Sequence, residues 1–175
     1  MSNVVSFIKN KDESLFFIFN RKINCIPLSF LMHFFTFFGS TLFSLFLCLS
    51  LIYLSRYFSL RLFFHVITVI SISQIIVQTI KRLVVRPRPC YALSDAIIKK
   101  FPPVNSYSFP SGHTCTAFCI AFTLSEVFTS FAPLFYVMAM LVGLSRIYLG
   151  MHYPTDVLIG GILGYAAFAL SNIIF

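Results

Sequence analysis

Charge is scarce in this chain: of 175 residues only 10% are Asp, Glu, Lys or Arg, and five are acidic. So small a stock of carboxylates argues against a magnesium site, which is built from hard oxygen ligands. Paired cysteines are lacking too. The five thiols are an odd number, and Cys25, Cys48, Cys115 and Cys119 lie inside apolar runs where a thiol behaves as a small hydrophobe, so no disulfide framework is expected. Cys90, beside Arg88-Pro89, is the thiol expected near solvent. The first twenty or so residues contain no small-residue cleavage site, so no cleaved signal peptide is expected. A basic face of the kind that binds nucleic acid is absent as well: the net charge is +8, but the cations sit at the ends of apolar runs or in short polar clusters.

Apolar residues are what the chain has in abundance. Hydrophobic residues make up 58% and aromatics 18%, with mean hydropathy +0.90, the composition of an integral membrane protein. The expected fold is all-α, a polytopic bundle of six transmembrane helices forming one domain over 1–175. Residues 1–23, with Lys9, Lys11, Asp12 and Glu13 ahead of Phe16-Phe17-Ile18-Phe19, read as a short interfacial helix. Cys25 to Leu54 is too long for one span, and Gly39-Ser40 punctuates it into two. Arg56 and Arg61 bracket a turn, and further spans are expected at about Leu62–Ile80, Pro110–Phe128, Phe131–Ile147 and Pro154–Ile174, with 81–110 as a polar active-site loop. Six spans would place both termini on one side and the polar clusters together on the other. Counting Lys9, Lys11, Arg21, Lys22, Arg56 and Arg61 on the terminal side makes that side cytoplasmic and turns the clusters toward the periplasm or exterior of a bacterial inner membrane.

Three clusters carry the chemistry. Lys81 closes a span and Arg88 follows in a loop stiffened by Pro87 and Pro89, a pairing suited to holding phosphate oxygens; Arg82 and Arg86 read as lipid head-group contacts. Pro110-Ser111-Gly112-His113 opens the next span, where unpaired amides and the helix dipole favour an anion and His113 is a candidate general acid. Ser145-Arg146 ends a span just before His152-Tyr153-Pro154-Thr155-Asp156; His and Asp four apart allow the carboxylate to hold one ring nitrogen and leave the other free. His33 and His65 lie in apolar runs without an evident partner, and Gly160 and Gly164 form a small-residue pair suited to helix packing within the bundle.

Lys81 through Arg88-Pro89, Pro110-Ser111-Gly112-His113, and Ser145-Arg146 through His152 to Asp156 resemble the three-part signature of the type 2 phosphatidic acid phosphatase superfamily. The resemblance implies a metal-independent, cofactor-free lipid phosphatase in which His152 is the nucleophile that becomes phosphohistidine, Asp156 supports it, and His113 protonates the leaving group and then activates water. It also implies that Lys81, Arg88, Ser111, Gly112 and Arg146 bind the phosphate. The implied partners are a membrane lipid phosphate and the bilayer itself. Substrate expectations are, in order, undecaprenyl pyrophosphate, phosphatidylglycerol phosphate and the 1-phosphate of lipid A. A vanadate-dependent haloperoxidase shares such a pocket but is soluble; a non-catalytic lipid-phosphate binding protein would need the cations but not His152 with Asp156.

Overall fold

A computed structural model describes residues 2–54, 60–99 and 107–175, with side chains from residue 6 onward. Arg56, Lys100, Pro102 and Pro103 lie outside the described residues. All described regular structure is helical, as expected: α1 (Ser2–Phe17, extended by a π turn over Ile18–Lys22), α2 (Ile26–Phe37), α3 (Thr41–Tyr53), α4 (Leu60–Val84), α5 (Pro89–Ala92), α6 (Gly112–Val127), α7 (Ala132–Tyr148) and α8 (Pro154–Ser171).

Local chemistry sets the boundaries. Helices α2, α5, α7 and α8 each carry a proline in their first two positions, where its missing N–H costs nothing. Ser40 and Ser111 cap α3 and α6, accepting from the amides of Phe43 (3.2 Å) and Thr114 (3.5 Å). Helix α4 stops before Arg86-Pro87-Arg88-Pro89 because a residue preceding proline is pushed out of the α region.

Helices α4, α6, α7 and α8 pack on one another, with α2 against α7 and α3 against α4. The glycine pair works as expected. A Cβ on Gly160 would stand 2.7 Å from the Ser111 carbonyl oxygen, and one on Gly164 would stand 2.9 Å from that of Cys115, so the backbones of α8 and α6 come together at these two glycines.

The path of the chain corrects the expected topology. Cys25 donates its N–H to the Tyr148 hydroxyl (3.3 Å) at the end of α7, while Leu51 packs on Leu62 and Val66 at the start of α4. Helices α2 and α3 therefore descend through the bundle in sequence, as one broken pass. At 12 and 13 residues they are about 18 and 20 Å long at 1.5 Å per residue, each well short of a bilayer core of roughly 30 Å. Gly39 marks the break and not a reversal. The count of six spans is not confirmed: among the described residues Leu60–Ala92, Thr129–Tyr148 and Pro154–Ser171 are long and apolar enough to cross alone.

The N-terminal segment lies at the end where α7 finishes and α8 begins. The Asn20 side-chain amide donates to the carbonyls of Tyr148 (3.0 Å) and Ile97 (2.9 Å), and Phe16 packs with Ile147 and Tyr153. The C-terminal end of α8 is opposite, where Ser171 meets His65 (3.0 Å). The two termini are thus at opposite ends, not on one side, and Lys9, Lys11, Arg21 and Lys22 belong to the segment sharing the end of the polar clusters. The positive-inside count that turned those clusters outward loses its main terms. Two further corrections concern thiols: Cys90 is buried, whereas Cys25 is exposed. His65, expected to lack a partner, sits 3.8 Å from Glu126 beside its Ser171 bond, and His33 meets the Ser29 carbonyl (2.7 Å).

The α6–α8 contact predicts a paired outcome. Gly160→Ala should destabilise the protein by about 1–3 kcal/mol, the usual cost of overpacking, whereas Gly161→Ala, whose Cβ would meet only the Phe118 ring at 3.4 Å, should be near neutral. Thermal melting in detergent measures both, and equal melting temperatures would contradict backbone contact at Gly160.

Candidate active site

The sequence-predicted residues come together at one end of the bundle. Lys81 sits in the last turn of α4, Arg88 precedes α5, Ser111, Gly112 and His113 open α6, Arg146 lies in the last turn of α7, and His152 and Asp156 flank the start of α8. Arg88, Ser111, Arg146, His152 and Asp156 are all buried, and His113 is half-buried.

Each phosphate-directed cation is steadied by neutral oxygen. Lys81 Nζ donates to the Tyr107 carbonyl (3.2 Å), Arg88 Nη1 to the Met151 carbonyl (3.1 Å), and Arg146 Nη1 to the Thr36 hydroxyl (2.8 Å). Such acceptors fix a cation's direction without cancelling its charge. The described ion pairs take the five carboxylates elsewhere: Asp12 and Asp156 to Arg86, Glu13 to Lys9, Asp95 to Arg21 and Glu126 to His65. Among the described residues, the Arg146 Nε has no hydrogen-bond partner. Three buried or half-buried positive charges thus converge where a phosphate dianion would be met from several sides.

The tautomer of His152 follows from its neighbours. Arginine only donates, so the 3.1 Å contact between Arg88 Nη1 and His152 Nε2 makes Nε2 the acceptor and puts the ring proton on Nδ1. Nδ1 faces Asp156 Oδ2 at 3.5 Å, a long approach of the kind that tightens when substrate binds. Burial, followed by the charges of Arg146, Arg88 and Lys81, holds the His152 imidazole well below its usual pKa. The ring is therefore neutral at neutral pH, with its Nε2 lone pair directed among the cations.

Asp156 is fixed from several directions. Its Oδ2 accepts from the Tyr153 N–H (2.8 Å) and the Ser108 hydroxyl, and its Oδ1 from Arg86 Nη1 (2.8 Å). Its backbone carbonyl accepts from Ser111 N–H (3.0 Å), which joins the α6 and α8 starts. The Ser111 hydroxyl is occupied in its own cap, with Thr114 Oγ1 at 2.8 Å, so the α6 amides are its main offering to an anion. A Cβ on Gly112 would meet only Val77, at 3.6 Å; protein packing does not demand glycine there.

Four residues were missed by sequence reasoning. Arg86 is no head-group contact: besides Asp156 it binds Asp12 Oδ2 (2.7 Å) and Thr155 Oγ1 (2.9 Å), and its guanidinium lies 3.9 Å from the centre of the Tyr153 ring. Ser108, Thr36 and Asp12 carried no local signal, since each acquires its role from a partner at least 48 residues away.

Titration of the histidine ring carbons by NMR should find His152 still neutral below about pH 6.5, the ordinary histidine value. Inorganic phosphate should raise the His152 pKa by offsetting the three cations. Protonation of His152 at or above the ordinary value without phosphate would contradict this electrostatic account.

The sequence profile of the PAP2 superfamily matches residues 62–175. Phosphatidylglycerophosphatase B of Bacillus subtilis (strain 168) is 33% identical over 115 residues, covering 58% of this chain and 52% of that protein; the chain spans about half the length of the curated relatives it matches. The crystal structure of Aquifex aeolicus LpxE superposes with TM-score 0.80 at 29% identity over 90% of this chain and 92% of that one. That of the transmembrane PAP2 type phosphatidylglycerolphosphate phosphatase from Bacillus subtilis gives TM-score 0.80 at 28% identity over 95% and 85%.

Proposed function

This chain belongs to the PAP2 superfamily, and we propose that it is a membrane enzyme that removes the terminal phosphate of a lipid phosphate or pyrophosphate through a phosphohistidine. The observation that carries this reading is the setting of His152: Nε2 against Arg88 at 3.1 Å, Nδ1 toward Asp156 at 3.5 Å, and three cations acting on the ring. A binding protein needs the cations alone; a neutral imidazole aligned by a buried carboxylate supplies a nucleophile.

In the first step Arg88 Nη1 transfers its hydrogen bond from Nε2 to a phosphate oxygen, the freed Nε2 lone pair forms a bond to phosphorus as the bond from phosphorus to the lipid-side oxygen breaks, and His113 gives that oxygen its proton. Lys81, Arg88, Arg146 and the first amides of α6 hold the non-bridging oxygens, whose charge grows in the transition state. In the second step water attacks the phosphohistidine, His113 takes the water's proton, orthophosphate leaves, and the imidazole is restored. As the phosphoryl group joins Nε2 the ring becomes cationic, and Asp156 stabilises that charge through Nδ1–H.

The leading substrate proposal is undecaprenyl pyrophosphate, whose second phosphate gives the cationic cluster an additional anion. Phosphatidylglycerol phosphate and lipid A 1-phosphate are the alternatives, supported by relatives named for those activities. The proposal keeps the site on the exterior or periplasmic face, with Arg61 at the opposite end, and the labelling of Cys25 tests it.

His152→Ala should lower turnover of detergent-solubilised protein by roughly a thousandfold or more, as loss of a nucleophile does, and acid-labile, base-stable radiolabel should be trapped on the wild type but not the variant. Turnover should survive EDTA, because cations and amides supply the charge stabilisation. Label trapped on the variant would remove His152 as nucleophile; loss with EDTA reversed by magnesium would remove the metal-independent mechanism.

Sidedness is read by Cys25, exposed at the site end. With the other four cysteines replaced, a membrane-impermeant maleimide should label it in intact cells. Labelling only after lysis would place the site on the cytoplasmic face.

A further inference from the structure

Asp12 lies on α1, outside the 62–175 stretch that matches the superfamily, yet it is buried against the site. Its carboxylate takes three contacts: Oδ1 accepts from Thr155 N–H (2.9 Å), and Oδ2 from Thr155 Oγ1 (2.6 Å) and Arg86 Nη2 (2.7 Å), with Arg86 Nη1 bridging onward to Thr155 Oγ1 (2.9 Å) and Asp156 Oδ1 (2.8 Å). Asp156 then faces His152 at 3.5 Å. The result is a row of alternating charge, Asp12, Arg86 and Asp156, running from the N-terminal helix and ending 3.5 Å from the attacking ring.

We propose that Asp12 is a positioning residue for the reaction, holding the Arg86 fork so that Asp156 keeps its orientation and its negative charge toward His152. This rests on the phosphohistidine reading above. The argument is one of charge sharing. Arg86 alone beside Asp156 would form a closed pair, and the carboxylate's field at His152 would be largely cancelled. A second carboxylate on the other side of the guanidinium divides that positive charge, so the row keeps a net negative contribution facing the ring as it becomes cationic in the covalent intermediate. Stacking of Arg86 on the Tyr153 ring at 3.9 Å and the bonds from Thr155 fix the fork in one plane. Arginine presents its two nitrogens in a rigid fork, so seating Nη2 on Asp12 sets the direction of Nη1 toward Asp156.

The charged and titratable groups around His152 come from every neighbouring element: Lys81 on α4, Arg88 in the loop after it and Arg146 on α7 act on the ring itself, while Arg86, Asp156, Asp12 and Glu13 meet at the adjacent Tyr153 and His113 stands at the start of α6. Removing the Asp12 charge leaves this set more positive, so the imidazole is harder to protonate.

The test is a double-mutant cycle of Asp12→Asn and Arg86→Gln, assayed on phosphatidylglycerol phosphate in detergent micelles beside His152→Ala. D12N is expected to lower kcat about tenfold or more with KM within about twofold, the pattern of an interaction made in the transition state, and to move the acid limb of kcat/KM to lower pH. Because Asp12 acts through Arg86, the double variant should match R86Q within about twofold, a strong non-additivity. Independent, multiplying losses overturn the inference. So does a D12N protein that melts earlier but keeps kcat and pH profile, since α1 would then serve docking alone. If D12N does not fold, Asp12→Glu is used, and its loss should likewise vanish in the R86Q background; a loss that persists there overturns the inference. Turnover in His152→Ala would overturn the phosphohistidine reading and this inference together, whereas an inactive His152→Ala with additive D12N and R86Q losses overturns this inference alone.

Discussion

A carboxylate buried at the first turn of α8 is the constraint on which the site depends. Taking a charged carboxylate out of water costs several kcal/mol unless its oxygens are met, and Asp156 is fully buried. The chain meets it with Arg86, Ser108, the Tyr153 amide and a nearby imidazole. Those partners come from three separate parts of the chain, so satisfying one side chain places the loop after α4, the approach to α6 and the entry to α8 at once. The backbone of the same residue accepts the Ser111 amide, and the anion-binding turn of α6 is thereby set beside the histidine.

Charge is then divided between two arginines only two residues apart. Arg86 faces two carboxylates, Asp12 and Asp156, and serves structure. Arg88 donates to the Met151 carbonyl and meets the His152 ring, the side on which the phosphate is proposed to bind. The alternation of Arg-Pro-Arg-Pro makes this division possible: extended backbone sends successive odd positions in related directions, while the prolines prevent the segment from continuing α4.

Much of this was legible in the sequence, and the reason it was legible marks where it stopped. Composition announced a helical membrane protein because helices alone satisfy backbone groups in lipid without closing a barrel. Lys81, Arg88, Ser111, Arg146, His152 and Asp156 stood out because polar residues at the ends of apolar runs are few, and the helices bring them to one end. Hydropathy, however, has no direction. It could mark Gly39 as a break but could not say that α3 continues the descent of α2, because that depends on Tyr148 at one end and Leu62 and Val66 at the other. The same limit hid Asp12 and Thr36, ordinary residues locally whose partners lie more than 70 positions away. Cys90 was misjudged because its neighbour Arg88 looked solvent-facing in sequence and is in fact buried.

The break between α2 and α3 has a consequence for the site that a straight helix could not supply. A Cβ on Gly39 would stand 2.5 Å from the His113 carbonyl oxygen and 2.7 Å from a Val142 methyl, so the backbone at the break lies directly against the first turn of α6 and against α7. One turn earlier, Thr36 reaches Arg146. A continuous helix of bulky residues would hold α6 and α7 apart at this level. Interrupting it at a glycine lets one short stretch, 36–39, touch both the first turn of α6, where His113 stands, and Arg146. Further along α3, a half-open apolar groove of about 270 Å³ lies between Phe38, Phe43 and the flanks of α6 and α7, so the close approach at Gly39 is confined to the level of the α6 start.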